Sequence, residues 1–87
     1  MAYRALATAA SASHDLGRAR RYIDRAMAVA RARGSAHEVA VTQLCAARVE
    51  LAAQNRDGAD RLLDQAQRAF EAMSMQAHLG QALRLRN

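Results

Sequence analysis

The feature that most constrains this 87-residue chain is an internal repeat with a period of forty residues. When the sequence is shifted by that distance, four identities fall within eight positions: Ala19, Arg21, Asp24 and Ala26 lie over Ala59, Arg61, Asp64 and Ala66. The pair Tyr22-Ile23 then falls on Leu62-Leu63, so large apolar residues match as well. Self-similarity at this period is typical of a solenoid, in which equivalent units stack side by side.

The composition predicts that the repeating elements are helices. The chain has no Pro, much Ala and only three aromatic residues. Ala loses the least entropy in a helix, whereas the β-branched and aromatic residues that favour strands are scarce. We therefore expect an all-α fold that forms a single domain over residues 1–87.

Short polar segments divide the chain into five predicted helices. The first hairpin is predicted over about residues 2–34, the second over about 35–73, and a C-terminal capping helix over about 75–86. Loops this short place successive helices antiparallel. The expected architecture is a right-handed solenoid of two antiparallel helical hairpins, closed by the capping helix.

Several residues are predicted to mark the helix ends. Gly34 suits the left-handed backbone that ends many helices. Ser35 and Glu38 form a predicted capping box, in which the hydroxyl accepts a free backbone N–H and the carboxylate reaches back. We expect Asp57 to cap the fourth helix and Ser74 to cap the fifth.

The pattern of large and small residues resembles the tetratricopeptide repeat, a helical hairpin. Tyr3 holds the aromatic position of the first helix, and Leu6 and Ala7 form its large-small pair. The small, large, small positions of the second helix are filled twice: Ala19, Ile23 and Ala26, then Ala59, Leu63 and Ala66. The period of forty and the missing closing Pro depart from the family pattern. Longer repeats of this kind look like the helical regions of bacterial regulators and signalling ATPases or kinases.

The resemblance implies a non-catalytic protein–protein interaction module. In the tetratricopeptide family, the first helices of successive repeats line a concave groove that holds a peptide or a partner helix. Carrying those positions over gives the candidate groove residues Arg4, Thr8, Val41, Leu44, Arg48, Gln81 and Arg84. Arginine forks suit carboxylates, so we expect an acidic partner.

The number of repeats bears on assembly, because solenoids usually need three or more repeats and this chain offers two. We expect either a C-terminal piece of a longer solenoid or self-association into a homodimer through an uncapped apolar edge. The fifth helix, with Gln76, Gln81, Arg84 and Arg86, is predicted to be a polar cap.

A run of arginines suggests an alternative function. Residues 16–34 contain six Arg and one Asp, and Arg18, Arg21 and Arg25 share one predicted helix face. Such a face could attract nucleic acid. A solvated helix face explains the same residues more simply, so the protein partner is preferred.

The remaining residues give no sign of catalysis. Cys45 is the single cysteine, so it has no partner for a disulfide or a C-x-x-C metal motif, and a cytoplasmic location is the default. His14, His37 and His78 lie in or beside three separate loops, which does not favour a metal site. No apolar run approaches the length of a membrane span. We expect no enzyme activity and no cofactor.

Overall fold

The computed structural model describes residues 3–86, and within that range it contains five α-helices and no strand. The helices are α1 (Tyr3–Ala12), α2 (Leu16–Ala32), α3 (Ala36–Ala52), α4 (Arg56–Ala72) and α5 (Gln76–Arg86). The predicted all-α fold and its helical hairpins are confirmed. The predicted start of the first helix at residue 2 lies outside the described residues.

The loops between the helices repeat one backbone conformation every twenty residues. A left-handed residue stands in each loop, with φ values between 56° and 65°: His14, Gly34, Gln54 and Ser74. The next residue donates its N–H to the carbonyl five residues earlier, as Ser35 does to Ala30 at 3.1 Å. This is the Schellman motif, which satisfies the free carbonyls at a helix end. The left-handed turn predicted at Gly34 is confirmed.

The predicted capping box at the start of α3 is half correct. The Ser35 hydroxyl accepts the Glu38 N–H at 3.1 Å, as expected. The Glu38 carboxylate does not reach back to the Ser35 N–H, because that N–H already donates to Ala30 in the preceding turn. The carboxylate instead pairs with Arg33 at 3.0 Å.

The predicted cap of α4 was wrong. The Asn55 side-chain oxygen accepts the Gly58 N–H at 3.2 Å, and the helix already begins at Arg56. Asp57 therefore lies inside the first turn. The prediction was two residues too late because both Asn and Asp are good N-cap residues. The Schellman motif at the end of α3 includes Asn55, and the next helix begins directly after it, so Asn55 is the cap.

The predicted cap of α5 was also wrong. Ser74 is the left-handed residue that ends α4, so it stands one position too early to cap the next helix. Met75 occupies the cap position, and its carbonyl accepts the Leu79 N–H at 2.9 Å. The Met75 side chain packs against the core instead of capping the helix.

The five helices form two layers. Helix α3 contacts both α1 and α5, while α2 packs against α1 and α3, and α4 packs against α3 and α5. Within residues 3–86 the backbones of α2 and α4 do not approach each other closely, although Leu62 of α4 packs against the core cluster shared by α1, α2 and α3. The described residues extend over 33 × 31 × 18 Å, and the shortest dimension fits two layers of helices about 8–10 Å apart.

The core has two halves that share α3. The half between α3, α4 and α5 contains Ala40, Leu44, Ala47, Leu63, Ala66, Phe70 and Ala82. The half between α1, α2 and α3 contains Ala7, Ala10, Ala19, Ile23, Ala46 and Val49. Both small, large, small triplets from the sequence repeat are buried. The half between α1, α2 and α3 contains fewer large side chains than the half between α3, α4 and α5. The cores of the two repeats are therefore filled unequally.

Candidate peptide-binding face

The predicted groove residues lie on α1, α3 and α5, the three helices of one layer. Arg4 and Gln81 are half-buried, and Arg48 and Arg84 are exposed. Leu44 is wrong as a groove residue, because it is only 2% exposed and belongs to the core between α3, α4 and α5.

Two other predicted groove residues contribute little polar chemistry. Val41 is half-buried and packs against the same core as Leu44. Thr8 is exposed, but its hydroxyl donates to the Arg4 carbonyl at 3.0 Å within α1. The Thr8 hydroxyl hydrogen is therefore used within its own helix.

A hydrogen bond joins two of the predicted residues across neighbouring helices. The Arg48 guanidinium on α3 donates to the side-chain oxygen of Gln81 on α5 at 3.2 Å. Arg84 lies further along α5, and its side chain makes no hydrogen bond or ion pair within residues 3–86. The structure thus brings Arg48 and Gln81 together and leaves Arg84 apart.

Cys45 lies beside these residues on α3, although it was not among the predicted groove residues. The thiol is half-buried between α1 and α3. Burial raises the pKa of the Cys45 thiol, and the guanidinium groups of Arg48 and Arg4 oppose that rise by attraction for the thiolate. Both arginines therefore act on one thiol from two different helices. The spacing of Val41, Cys45 and Arg48, four and then three residues apart, is the helical signal that could have identified Cys45.

We call this surface the odd-helix face, formed by Arg4, Val41, Cys45, Arg48 and Gln81. Its charge is positive. The ion pairs within residues 3–86 are Arg18–Asp15, Arg20–Glu50, Arg33–Glu38, Arg56–Asp60 and Arg86–Asp64. Neither Arg4 nor Arg48 takes part in any of them. The face therefore has two guanidinium groups whose charge no carboxylate in the described part of the chain neutralises at short range.

The alternative basic face on α2 is partly neutralised. Arg18, Arg21 and Arg25 are all exposed, as predicted. However, Arg18 pairs with Asp15 at 3.6 Å, and on a different side of α2 Arg20 pairs with Glu50 of α3 at 2.8 Å. The carboxylates of Asp15 and Glu50, which lie outside residues 16–34, thus neutralise part of the positive charge counted for that segment.

The acidic, histidine and cysteine side chains of the described residues do not form a metal-binding cluster. No group of three or more His, Cys, Asp or Glu side chains within residues 3–86 is arranged to hold a metal ion. The structure does bring together His37 and His78, whose ring centroids are 5.9 Å apart. The His78 ring also packs on Phe70 at 5.3 Å, so this pair covers the end of the core.

Of the helices in residues 3–86, none combines the length and the apolar character required to cross a membrane. Comparison of the chain with protein-family models, with curated proteins and with solved structures gives no match. The resemblance to the tetratricopeptide repeat therefore stays a prediction.

Proposed function

We propose that this chain is a non-catalytic protein–protein interaction module, built as two tetratricopeptide-like repeats with a closing helix. An acidic peptide or partner helix binds along the odd-helix face. The observation that carries the proposal is the hydrogen bond from Arg48 on α3 to Gln81 on α5, with Arg4 on α1, the other helix that α3 contacts in the same layer. Three neighbouring helices thereby contribute to one positive surface.

The chemistry of the face supports an acidic partner. A guanidinium group presents several N–H donors in a fixed plane that matches a carboxylate. The half-buried Val41 and Cys45 side chains lie on the same α3 face as Arg48 and provide apolar contact beside the charges. A surface of this composition suits a peptide that carries both acidic and apolar residues.

The proposal is tested by fluorescence polarisation with a labelled peptide of alternating Glu and Ala residues. Arg48→Glu should weaken binding by about tenfold or more, which corresponds to about 1.4 kcal/mol. The matched control is Arg68→Glu, because Arg68 is exposed on α4 and has no ion pair within residues 3–86. Equal affinity for the wild type and Arg48→Glu would refute binding on this face.

The same assay addresses the nucleic-acid alternative. A labelled single-stranded oligonucleotide should bind weakly, and its binding should collapse between low and moderate salt. The opposite result would be tight oligonucleotide binding that is abolished by Arg21→Glu and by Arg25→Glu but kept in Arg48→Glu. That result would favour α2 as the functional surface. Arg18 and Arg20 on α2 are already paired with Asp15 and Glu50. We therefore expect weak oligonucleotide binding that is lost at moderate salt.

A further inference from the structure

An open cleft of about 360 Å³ lies at one end of the first hairpin. It is bounded by the start of α1, the end of α2 and the start of α3. Its lining residues are Tyr3, Arg4, Ala5, Ala26, Val29, Ala30, Arg33, Glu38 and Thr42. Ala26 and Ala30 form a floor of small side chains, and Val29 on the wall is 38% exposed.

The forty-residue repeat explains why this cleft exists. The position equivalent to Ala30 is Phe70, and the position equivalent to Arg4 is Leu44. Phe70 is fully buried and Leu44 is 2% exposed, and both belong to the core between α3, α4 and α5. At these two positions the first hairpin therefore lacks the large apolar side chains that fill the second hairpin.

The mouth of the cleft carries an excess of positive charge. Arg33 pairs with the Glu38 carboxylate at 3.0 Å, whereas Arg4 donates to the Glu38 carbonyl oxygen at 3.4 Å. Two guanidinium groups thus stand beside a single carboxylate. One further carboxylate would balance the charge at the mouth.

We propose that this cleft binds an aromatic side chain of a peptide that carries an acidic residue next to it. The ring takes the place that Phe70 takes in the second hairpin, and the carboxylate pairs with Arg4 and Arg33. An apolar cavity of about 150 Å³ is enough for a benzene ring, and ligand pockets begin at about 300 Å³, so the space is sufficient. This inference rests on the proposed interaction function, because it supplies a side-chain chemistry for one end of the odd-helix face.

The test uses a short fluorescein-labelled peptide with a central Asp-Phe pair in a Gly/Ser background. Replacing the peptide's Phe by Ala, or its Asp by Asn, should each weaken binding by about tenfold. If the peptide shows no measurable affinity for the wild type, or if both replacements leave the affinity unchanged, the proposal is overturned. Binding of free 3-phenylpropionate without binding of the peptide would also overturn it, and would assign the cleft to a small aromatic acid.

Three variants locate the binding site. Ala30→Phe places a ring on the floor of the cleft, and Ala5→Phe places one on its exposed α1 wall. Each should reduce peptide affinity by about tenfold or more. Ala28→Phe is the matched control, because Ala28 is exposed on α2 and does not line the cleft. If Ala30→Phe does not fold, Ala5→Phe alone decides, and unchanged affinity in that variant overturns the proposal.

Failure of this inference is distinguishable from failure of the proposed function. Asp-Phe peptide binding that is lost in Ala5→Phe but kept in Arg48→Glu supports the cleft and removes the rest of the odd-helix face. Binding that is lost in Arg48→Glu but kept in both cleft variants supports the face and overturns the cleft. Arg33→Gln should reduce the preference for Asp over Asn, since Arg33 lines the cleft and is not part of the odd-helix face.

Discussion

At the scale of single residues, three side chains occupy backbone that normally favours glycine. His14, Gln54 and Ser74 have φ values of 60°, 61° and 56°, and Gly34 has 65° in the equivalent turn. A side chain in the left-handed region costs roughly 1–2 kcal/mol because its Cβ crowds the carbonyl oxygen. The chain bears this cost in three of its four loops.

Gln54→Gly should therefore stabilise the protein by about 0.5–1 kcal/mol, after the larger unfolded-state entropy of glycine is subtracted. Gly34→Ala should destabilise it by a similar amount, since space is open around Gly34 and only the backbone conformation is strained. Chemical denaturation monitored by circular dichroism measures both. Changes of the same sign in the two variants would contradict this account of the loops.

The thiol of Cys45 gives a second test at this scale. Burial raises its pKa, and Arg48 and Arg4 partly oppose the rise, so the thiolate should form only at alkaline pH. Alkylation by iodoacetamide should accelerate as pH rises, and Arg48→Gln should slow it at a fixed pH because the remaining cation stabilises the thiolate less. Arg68→Gln is the control. An unchanged rate in Arg48→Gln would show that Arg48 does not act on the thiol.

At the scale of helices, one ion pair connects three elements. The guanidinium of Arg20 on α2 donates two hydrogen bonds, of 2.8 and 3.0 Å, to the carboxylate of Glu50 on α3. The Asn55 amide donates to the same carboxylate at 2.9 Å while its oxygen caps α4. These bonds hold the pKa of Glu50 below its ordinary value, with Arg20 the main cause.

The pH dependence of stability follows from that shift. A carboxylate whose folded-state pKa is lowered contributes stability above its unfolded pKa of about 4.3, and the contribution is lost as pH falls through the folded pKa. The free energy of unfolding should therefore drop on acidification below about pH 4.5. Glu50→Gln should lower stability at neutral pH and flatten this acid limb. Glu71→Gln, which removes an exposed carboxylate that has no ion pair within residues 3–86, should leave the limb intact.

Much of the helix arrangement was predictable, because local signals and packing agree. Gly34 marks its turn, and the triplets around Ile23 and Leu63 are buried as the repeat predicts. The other left-handed residues were not predictable, since none is a glycine. On the candidate face, Leu44 was misplaced and Cys45 was missed, because one position along a helix turns a side chain by about 100°. The short α3–α5 contact from Arg48 to Gln81 depends on packing that the sequence pattern alone does not specify.

At the scale of the whole molecule, the outermost helices expose apolar side chains. Leu6 on α1 is 42% exposed and Leu83 on α5 is 43% exposed. The prediction that α5 is a polar cap is wrong in part: Gln81 and Arg86 bond to α3 and α4, whereas Leu83 faces solvent. Each outer helix of the layer thus exposes one large apolar side chain.

We expect the exposed Leu6 and Leu83 side chains to promote self-association. Light scattering should give a mass that rises above 9.5 kDa as concentration increases, and Leu83→Gln should lower the mass at a given concentration. A mass of one chain at all concentrations and at two salt levels would contradict self-association and would leave a monomeric binding module.

Chemical-shift mapping tests whether the odd-helix face binds an acidic partner. A ¹⁵N-labelled sample would be titrated with the peptide of alternating Glu and Ala residues. We expect the largest amide shifts on α1, α3 and α5, around Arg4, Cys45, Arg48 and Gln81, and little change around Arg21 and Arg25 on α2. Shifts confined to α2, with the odd-helix face unaffected, would contradict binding on that face.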